Sequence, residues 1–304
     1  MVEQNWQLVR KQDTLIKRAR IIQQIRAFFI ERDFLEVETP HRIPANAPEL
    51  FIDAVASDNW FLQTSPELCM KRLLAAGYPL LFQICRCWRE GERSKTHLPE
   101  YTMLEWYRSH CDYHQLMDDC EKLLLHLCPD NVLKWQGKSI DLTPPWPRIT
   151  VAEAFKLFSP ISLETVLETD EFDTTIALKI EPRLPQDKPL FLTEYPVKYA
   201  SLARKKPADP HVAERFELYI GGIEIANAFS ELNDPDEQRQ RFQLEESQRR
   251  AAGKSSYPTP KPFLNELATL PPAAGIALGV DRLIMLLCDK NEIDEVVTFI
   301  PEQL

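Results

Sequence analysis

The chain has 304 residues, enough to bury one large core or two small ones, and its 44% hydrophobic content is ordinary for a globular protein. A net charge of −10 argues against broad non-specific binding to nucleic acid, though not against a local basic patch. No apolar run approaches the roughly 20 residues needed to span a bilayer, and Met1 to Asp13 holds no apolar signal core, so no membrane contact and a cytoplasmic location are expected. Seven cysteines without a CxxC pair fit reduced thiols used mainly in packing, rather than a disulfide framework or a zinc site.

In chain order, Asp13 to Arg32 predicts an amphipathic helix: Ile21, Ile22, Ile25, Phe28 and Phe29 form an apolar stripe, with Lys17, Arg18 and Arg20 beside it. Ser65 can cap a second helix, with Pro66 at its first position and Gly77 just past its end. Cys85 to Tyr107 then reads as two strands joined by a charged loop. On the returning strand Tyr101, Met103, Glu105 and Tyr107 share one parity and so one face; Gln83, Cys85, Cys87 and Arg89 share a parity on the first. Paired antiparallel, one face can present a guanidinium, an aromatic plate and a carboxylate. That set suits a nucleotide phosphate, an adenine ring and a cationic group; an amphipathic hairpin with a solvated turn is the alternative.

Residues 136 to 196, rich in Pro and acids, are expected to be a variable insertion, within which Thr150 and Glu153 form a capping box. Gly221-Gly222 predicts a two-residue hairpin turn, pairing residue 217 with 226 and 219 with 224 and placing Glu217 and Glu224 on one side. Asn227, Phe229 and Glu231 alternate on one face of the second strand. Pro235 opens a polar helix ending near Gly253. Gly279 breaks a short strand before a helix that carries Arg282 through Leu287. Hairpins dominate and helices flank them, so an α+β fold with an antiparallel sheet is expected.

The Cys85 to Tyr107 segment resembles motif 2 of the class II aminoacyl-tRNA synthetases, in the version found in lysyl-tRNA synthetases. Phe34 to Pro40 resembles motif 1 of that class, and Gly275 to Arg282 resembles motif 3. FELYIGGIEIANAFSELNDP, Phe216 to Pro235, is similar to the lysine-binding segment. Four matches in the right order are far more specific than any one of them. The resemblance implies the class II catalytic fold as a single domain, a homodimer formed through motif 1, and ATP with Mg²⁺. An N-terminal anticodon-binding barrel needs five strands. Only residues 1–33 precede motif 1, and they read as mostly helical, so that barrel is expected to be missing.

Carried over residue by residue, Arg89 matches the arginine at the α-phosphate and Arg282 the one at the γ-phosphate; planar guanidiniums bond oxygens in pairs and stay charged. Tyr101 stands where an adenine-stacking aromatic is found, and His97 matches a loop histidine near phosphate. Glu217 and Glu224 match the acids that hold magnesium against ATP. Glu67, Glu105, Tyr107, Asn227, Phe229 and Glu231 match the lysine pocket, with Glu67 toward the α- or β-amino group and Glu231 with Tyr107 at the ε-end. Strict alternation puts Glu224 and Asn227 on opposite faces, so either a bulge intervenes or one assignment fails. Two departures stand out. Gly91 occupies the place of a motif 2 glutamate, with Glu92 following, and Ala277 replaces a motif 3 glycine.

Alanine there, with no anticodon domain, resembles the elongation factor P–lysine ligases, which attach (R)-β-lysine to a lysine of that factor. The expected activity is ATP-dependent activation of lysine or β-lysine as an adenylate and transfer to elongation factor P, with tRNA an improbable acceptor. The alternatives are a free-standing enzyme acting on tRNA or another carrier amine, and a binding-only regulatory relative. A complete phosphate clamp speaks against the latter.

Overall fold

The apolar stripe of the first helix meets a knot of aromatic rings, and this contact anchors the first edge of the sheet. In the computed structural model, which describes residues 6–304, helix α1 runs Trp6–Ile30. It starts well before Asp13, because Leu8 to Gln12 contain no helix breaker. Ile25, Phe28 and Phe29 are fully buried, and Phe29 lies 5.0 Å from Phe82 and 5.1 Å from Trp106 between ring centroids. Asp33, in the left-handed region at φ 62°, ends the helix and turns the chain into the sheet.

That sheet has eight strands among the described residues: β1 (Leu35–Glu36), β2 (Leu80–Trp88), β3 (Glu100–Ser109), β4 (Arg148–Thr150), β5 (Leu190–Thr193), β6 (Arg215–Ile220), β7 (Ile223–Ser230) and β8 (Ala273–Gly279). The spatial order is β1-β2-β3-β8-β7-β6-β5-β4. The centre is antiparallel as expected, but β1 runs parallel to β2 and β4 parallel to β5. The antiparallel expectation thus holds for the centre and is corrected only at the two edges, where a crossing segment rather than a tight turn delivers the strand.

Residues 136 to 196 are ordered and supply β4 and β5 to this sheet. Helix α2 spans Glu67–Ala75, and Thr150 and Glu153 make the expected capping box that opens the helix labelled α3 (Val151–Phe158). Helices α4 (Pro235–Ala251) and α5 (Val280–Leu287) follow near the positions read from sequence. Ser65 Oγ accepts from the Glu67 backbone N–H at 3.0 Å, and Gly77 at φ 98° closes the end of α2.

The Gly221-Gly222 turn joins β6 to β7, with both glycines at positive φ. Its register differs from a regular hairpin. Tyr219 pairs with Glu224 as expected, but Leu218 pairs with Ala226 and Glu217 with Asn227, leaving Ile225 extra. The pairing of 217 with 226 is thus corrected by a β-bulge, and the bulge restores Glu224 and Asn227 to the same face.

Candidate active site

Directly paired residues on neighbouring strands share a face, so the register alone lays out the site. One row runs Gln83, Glu105, Ala277, Asn227, Glu217 across five strands. The next row runs Leu81, Tyr107, Gly275, Phe229, Arg215. Residues from both hairpins and motif 3, distant in sequence, form one continuous floor.

At one end of the floor stand the two arginines. Arg89 lies just beyond β2, its guanidinium 5.3 Å from the Tyr101 ring centroid and 3.6 Å from Glu92 Oε1. Glu92 thus stands beside the arginine, and Gly91 at φ 77° makes the turn between them. Arg89 Nε is buried with no hydrogen-bond partner, a vacant donor that suits an anion. Tyr101 packs against Cys85, Cys87 and Met103, and its hydroxyl donates to the Thr64 carbonyl at 3.1 Å. It serves as the platform for Arg89, and an adenine ring would share that platform.

Arg282, in the first turn of α5, donates through Nε to Thr96 O at 3.2 Å and through Nη1 to Glu224 O at 2.9 Å and Glu224 Oε2 at 3.2 Å. Its Nη2 donates to His97 Nε2. A guanidinium can only donate, so that imidazole nitrogen accepts, and the ring proton sits on Nδ1, 2.8 Å from Ser94 Oγ. Burial first and Arg282 second lower the His97 pKa, which keeps the ring neutral and the acceptor available. The neighbouring Asp281 accepts from the Thr102 N–H at 2.7 Å and pairs with Arg18 at 2.6 Å, fixing the start of α5 against β3 and α1.

Glu217 and Glu224 face each other as like charges. Glu217 accepts from Arg215 Nη2 and from the Tyr219 hydroxyl, each at 2.7 Å; burial, then the Glu224 charge, push its carboxyl above the ordinary range. A divalent cation between them would relieve that repulsion, so the pair fits magnesium held jointly with phosphate oxygens. Among the described residues no group of three or more His, Cys, Asp or Glu side chains forms a closed metal cage.

At the other end lies an acidic pocket. Glu105 Oε1 accepts from Ser65 Oγ at 2.6 Å and Oε2 from the Tyr107 hydroxyl at 2.8 Å. Burial, then the Glu67 charge, raise its pKa to about 8. Burial likewise raises Glu231 to about 8, against the pull of Lys71. Lys71, which sequence reasoning missed, puts its buried ammonium 2.6 Å from Glu67 Oε1, beside Glu231 Oε2, and 4.9 Å from the Phe229 ring centroid. Burial works against that charge, but Glu231 and Glu67 outweigh it and hold the ammonium above its ordinary pKa.

Gly275 was missed too. A Cβ there would stand 2.2 Å from Tyr107 Cε1 and 2.4 Å from Glu231 Oε1, so only glycine allows these two side chains to meet. Ala277 lies between Glu105 and Asn227 on the floor. Asn227 Oδ1 accepts from Arg215 Nε at 3.0 Å.

A third unforeseen residue is Glu49, on the loop after motif 1. Its carboxyl is pushed up to about 7, by burial first and the Glu67 charge second. The loop is pinned by Arg249 of α4, a fully buried guanidinium. Its Nη1 donates to Glu49 O at 2.7 Å and Ile52 O at 2.9 Å; its Nη2 donates to Asp53 Oδ1 at 2.9 Å. A motif reading finds Lys71 or Arg249 only with difficulty, because a lysine or arginine inside a polar helix looks like any solvated charge.

Comparison with known proteins agrees with this geometry. A family profile described as tRNA synthetases class II (D, K and N) matches residues 6–303. The elongation factor P--(R)-beta-lysine ligase of Pectobacterium atrosepticum is 38% identical over 321 residues, covering 98% of each chain. That of Erwinia tasmaniensis is 37% identical over 317 residues, 97% of each. The lysine--tRNA ligase of Moorella thermoacetica is 37% identical over 313 residues, which are 93% of this chain but only 64% of that enzyme's length. The chain belongs to the class II tRNA synthetase family of the D, K and N group.

Proposed function

We propose that this chain, as one catalytic domain, activates lysine or (R)-β-lysine with ATP and transfers it to a lysine side chain of elongation factor P. The observation that carries the reading is the pocket itself: Glu67, Glu105 and Glu231 converge on one end of a floor whose other end holds Arg89 and Arg282. A ligand with two ammonium groups and one reacting carboxylate matches that polarity. The two ligases that align over nearly the whole chain bear the same activity in their names.

In adenylate formation a carboxylate oxygen of the amino acid bonds to the α-phosphorus of ATP and pyrophosphate leaves. In transfer the neutral acceptor amine bonds through nitrogen to the acyl carbon, the acyl C–O bond breaks, AMP leaves, and the nitrogen gives up one proton to solvent and keeps the other as the amide N–H. Arg89 would hold the α-phosphate through its free Nε, and Arg282, steadied by neutral His97, the distal phosphate. Magnesium, held by Glu217 and Glu224, would supply charge neutralisation. Positioning and electrostatics do the work, and no side chain needs to act as a nucleophile.

A homodimer through motif 1 is part of the proposal. Val9 and Ile16 on α1 and Leu35 on β1 are exposed large apolar side chains in that region. Among the described residues no helix is long and apolar enough to cross a membrane, and all seven cysteines are free thiols. The reading therefore includes a cytoplasmic site of action.

The second reading, lysylation of tRNA, is favoured by the match to a lysine--tRNA ligase. Pyrophosphate exchange across lysine isomers, followed by mass spectrometry of elongation factor P incubated with the enzyme, separates the two. One lysyl-type mass on the factor without tRNA charging is the expected result; robust tRNA charging with an unmodified factor would reverse the choice.

A further inference from the structure

Lys71 has no counterpart in the chemistry assigned above, yet its ammonium occupies the centre of the amino-acid pocket. It sits one turn after Glu67 on α2, a helix held rigidly against the sheet by buried Leu68, Met70 and Leu74. Glu231 arrives from the opposite side, at the end of β7. Lys71 Nζ meets one oxygen of each acid: Oε1 of Glu67 at 2.6 Å and Oε2 of Glu231. The second oxygen of each is left over. Glu231 Oε1 is buried without a hydrogen-bond partner among the described residues, beside Tyr107 and Gly275. A buried carboxylate oxygen left without a donor, at the wall of this pocket, marks a place kept for a ligand donor.

We propose that Lys71 is the strut of a diammonium pocket: it ties Glu67 to Glu231 by one oxygen each, aims the other oxygen of each at one ammonium group of the ligand, and thereby fixes the span between the two subsites. Its charge also sets the pocket's balance. With the ligand bound and all three carboxylates ionised, one resident ammonium leaves two net negative charges, the number that two ligand ammonium groups neutralise. Without Lys71 the third carboxylate would remain buried and uncompensated, and would take up a proton. The Phe229 ring, 4.9 Å from Nζ, keeps the strut in line on its remaining side. Lys71 is thus a positioning residue, and its removal should loosen the measurement of ligand length before it touches the phosphate chemistry.

The inference rests on the lysine-type reading of the pocket, so the experiment separates the two. Calorimetric titrations of the full chain, without ATP, would use lysine and ornithine, and cadaverine and putrescine, pairs that differ by one methylene. Wild type is expected to favour one member of each pair by about 10- to 200-fold, the usual worth of one methylene in a fitted pocket. In Lys71→Met that ratio should fall toward unity. Should Lys71→Met not fold, Lys71→Gln, whose amide still donates to one carboxylate, is read in the same way. An unchanged ratio, whatever the absolute affinity, overturns the strut while leaving the pocket reading intact. Wild type binding none of the four would overturn both.

Discussion

Arg89 and Arg282 are held in different ways, and the difference predicts how each responds to mutation. Arg89 has a vacant Nε over the Tyr101 platform, whereas Arg282 is engaged at all three guanidinium nitrogens. Alanine at either position should leave the fold intact and slow adenylate formation by two to three orders of magnitude, on the order of 3–4 kcal/mol of transition-state stabilisation. Near-normal pyrophosphate exchange in a folded variant would refute the assignment. Gly275 and Ala277 sit two residues apart on β8 and should behave oppositely. Gly275→Ala forces a methyl into the contact between Tyr107 and Glu231, where overpacking costs about 1–3 kcal/mol, and should raise KM for the lysine-type substrate with little change in KM for ATP. Ala277→Gly opens the floor between Glu105 and Asn227 and should shift preference from (R)-β-lysine toward α-lysine, by no more than about 10- to 200-fold. The exchange ratio of the two isomers, compared between wild type and variant, decides it; an unchanged ratio would remove Ala277 from the ligand's path.

Elements whose signals are local were legible in the sequence, and those that depend on a distant partner were not. The turn at Gly221-Gly222, the Thr150–Glu153 capping box and the shared parity of Tyr101, Met103, Glu105 and Tyr107 all follow from residues within one or two turns of each other. The bulge at Ile225 could be posed only as a conflict, because nothing around Ile225 marks the extra residue. The parallel edges β4 and β5 lie in a Pro-rich stretch whose periodicity is broken by a π-helical turn, Ile176–Ile180. The Arg249 clamp is a third case: α4 reads as a solvated helix, yet it locks the loop that carries Glu49. Arg249→Met should leave Asp53 without this partner and three backbone carbonyls, of Glu49, Ile52 and Ser255, without their buried donor, costing about 3–5 kcal/mol. Thermal unfolding should register the loss, and limited proteolysis should find new cuts between residues 47 and 55. Wild-type stability together with an uncut loop would show that Lys254, which also reaches Asp53, suffices.

For the whole molecule, the pocket's charge couples folding to function through pH. Glu105 and Glu231 each have a folded pKa of about 8, against an ordinary 4.5, chiefly because burial opposes ionisation. A carboxyl whose folded pKa is raised keeps its proton when the unfolded chain has already lost it. Its contribution to stability is therefore complete below about pH 4.5 and is lost as pH rises through about 8. The empty protein should accordingly lose thermal stability across that window. A ligand with two ammonium groups needs the same carboxylates ionised, so its binding expels protons and strengthens as pH rises, until its own amines begin to lose theirs. The two trends oppose each other: the melting temperature of the empty protein falls between about pH 6 and pH 8.5, while the upward shift produced by lysine or (R)-β-lysine grows. Titrations in buffers of different ionisation enthalpy should reveal the released protons directly. Glu231→Gln carries no titratable group at that position and should flatten both trends, even though it weakens binding. If the empty protein instead gains stability over this range, or the ligand shift is the same at both ends, the carboxylates are already ionised in the fold. Binding would then owe nothing to their titration.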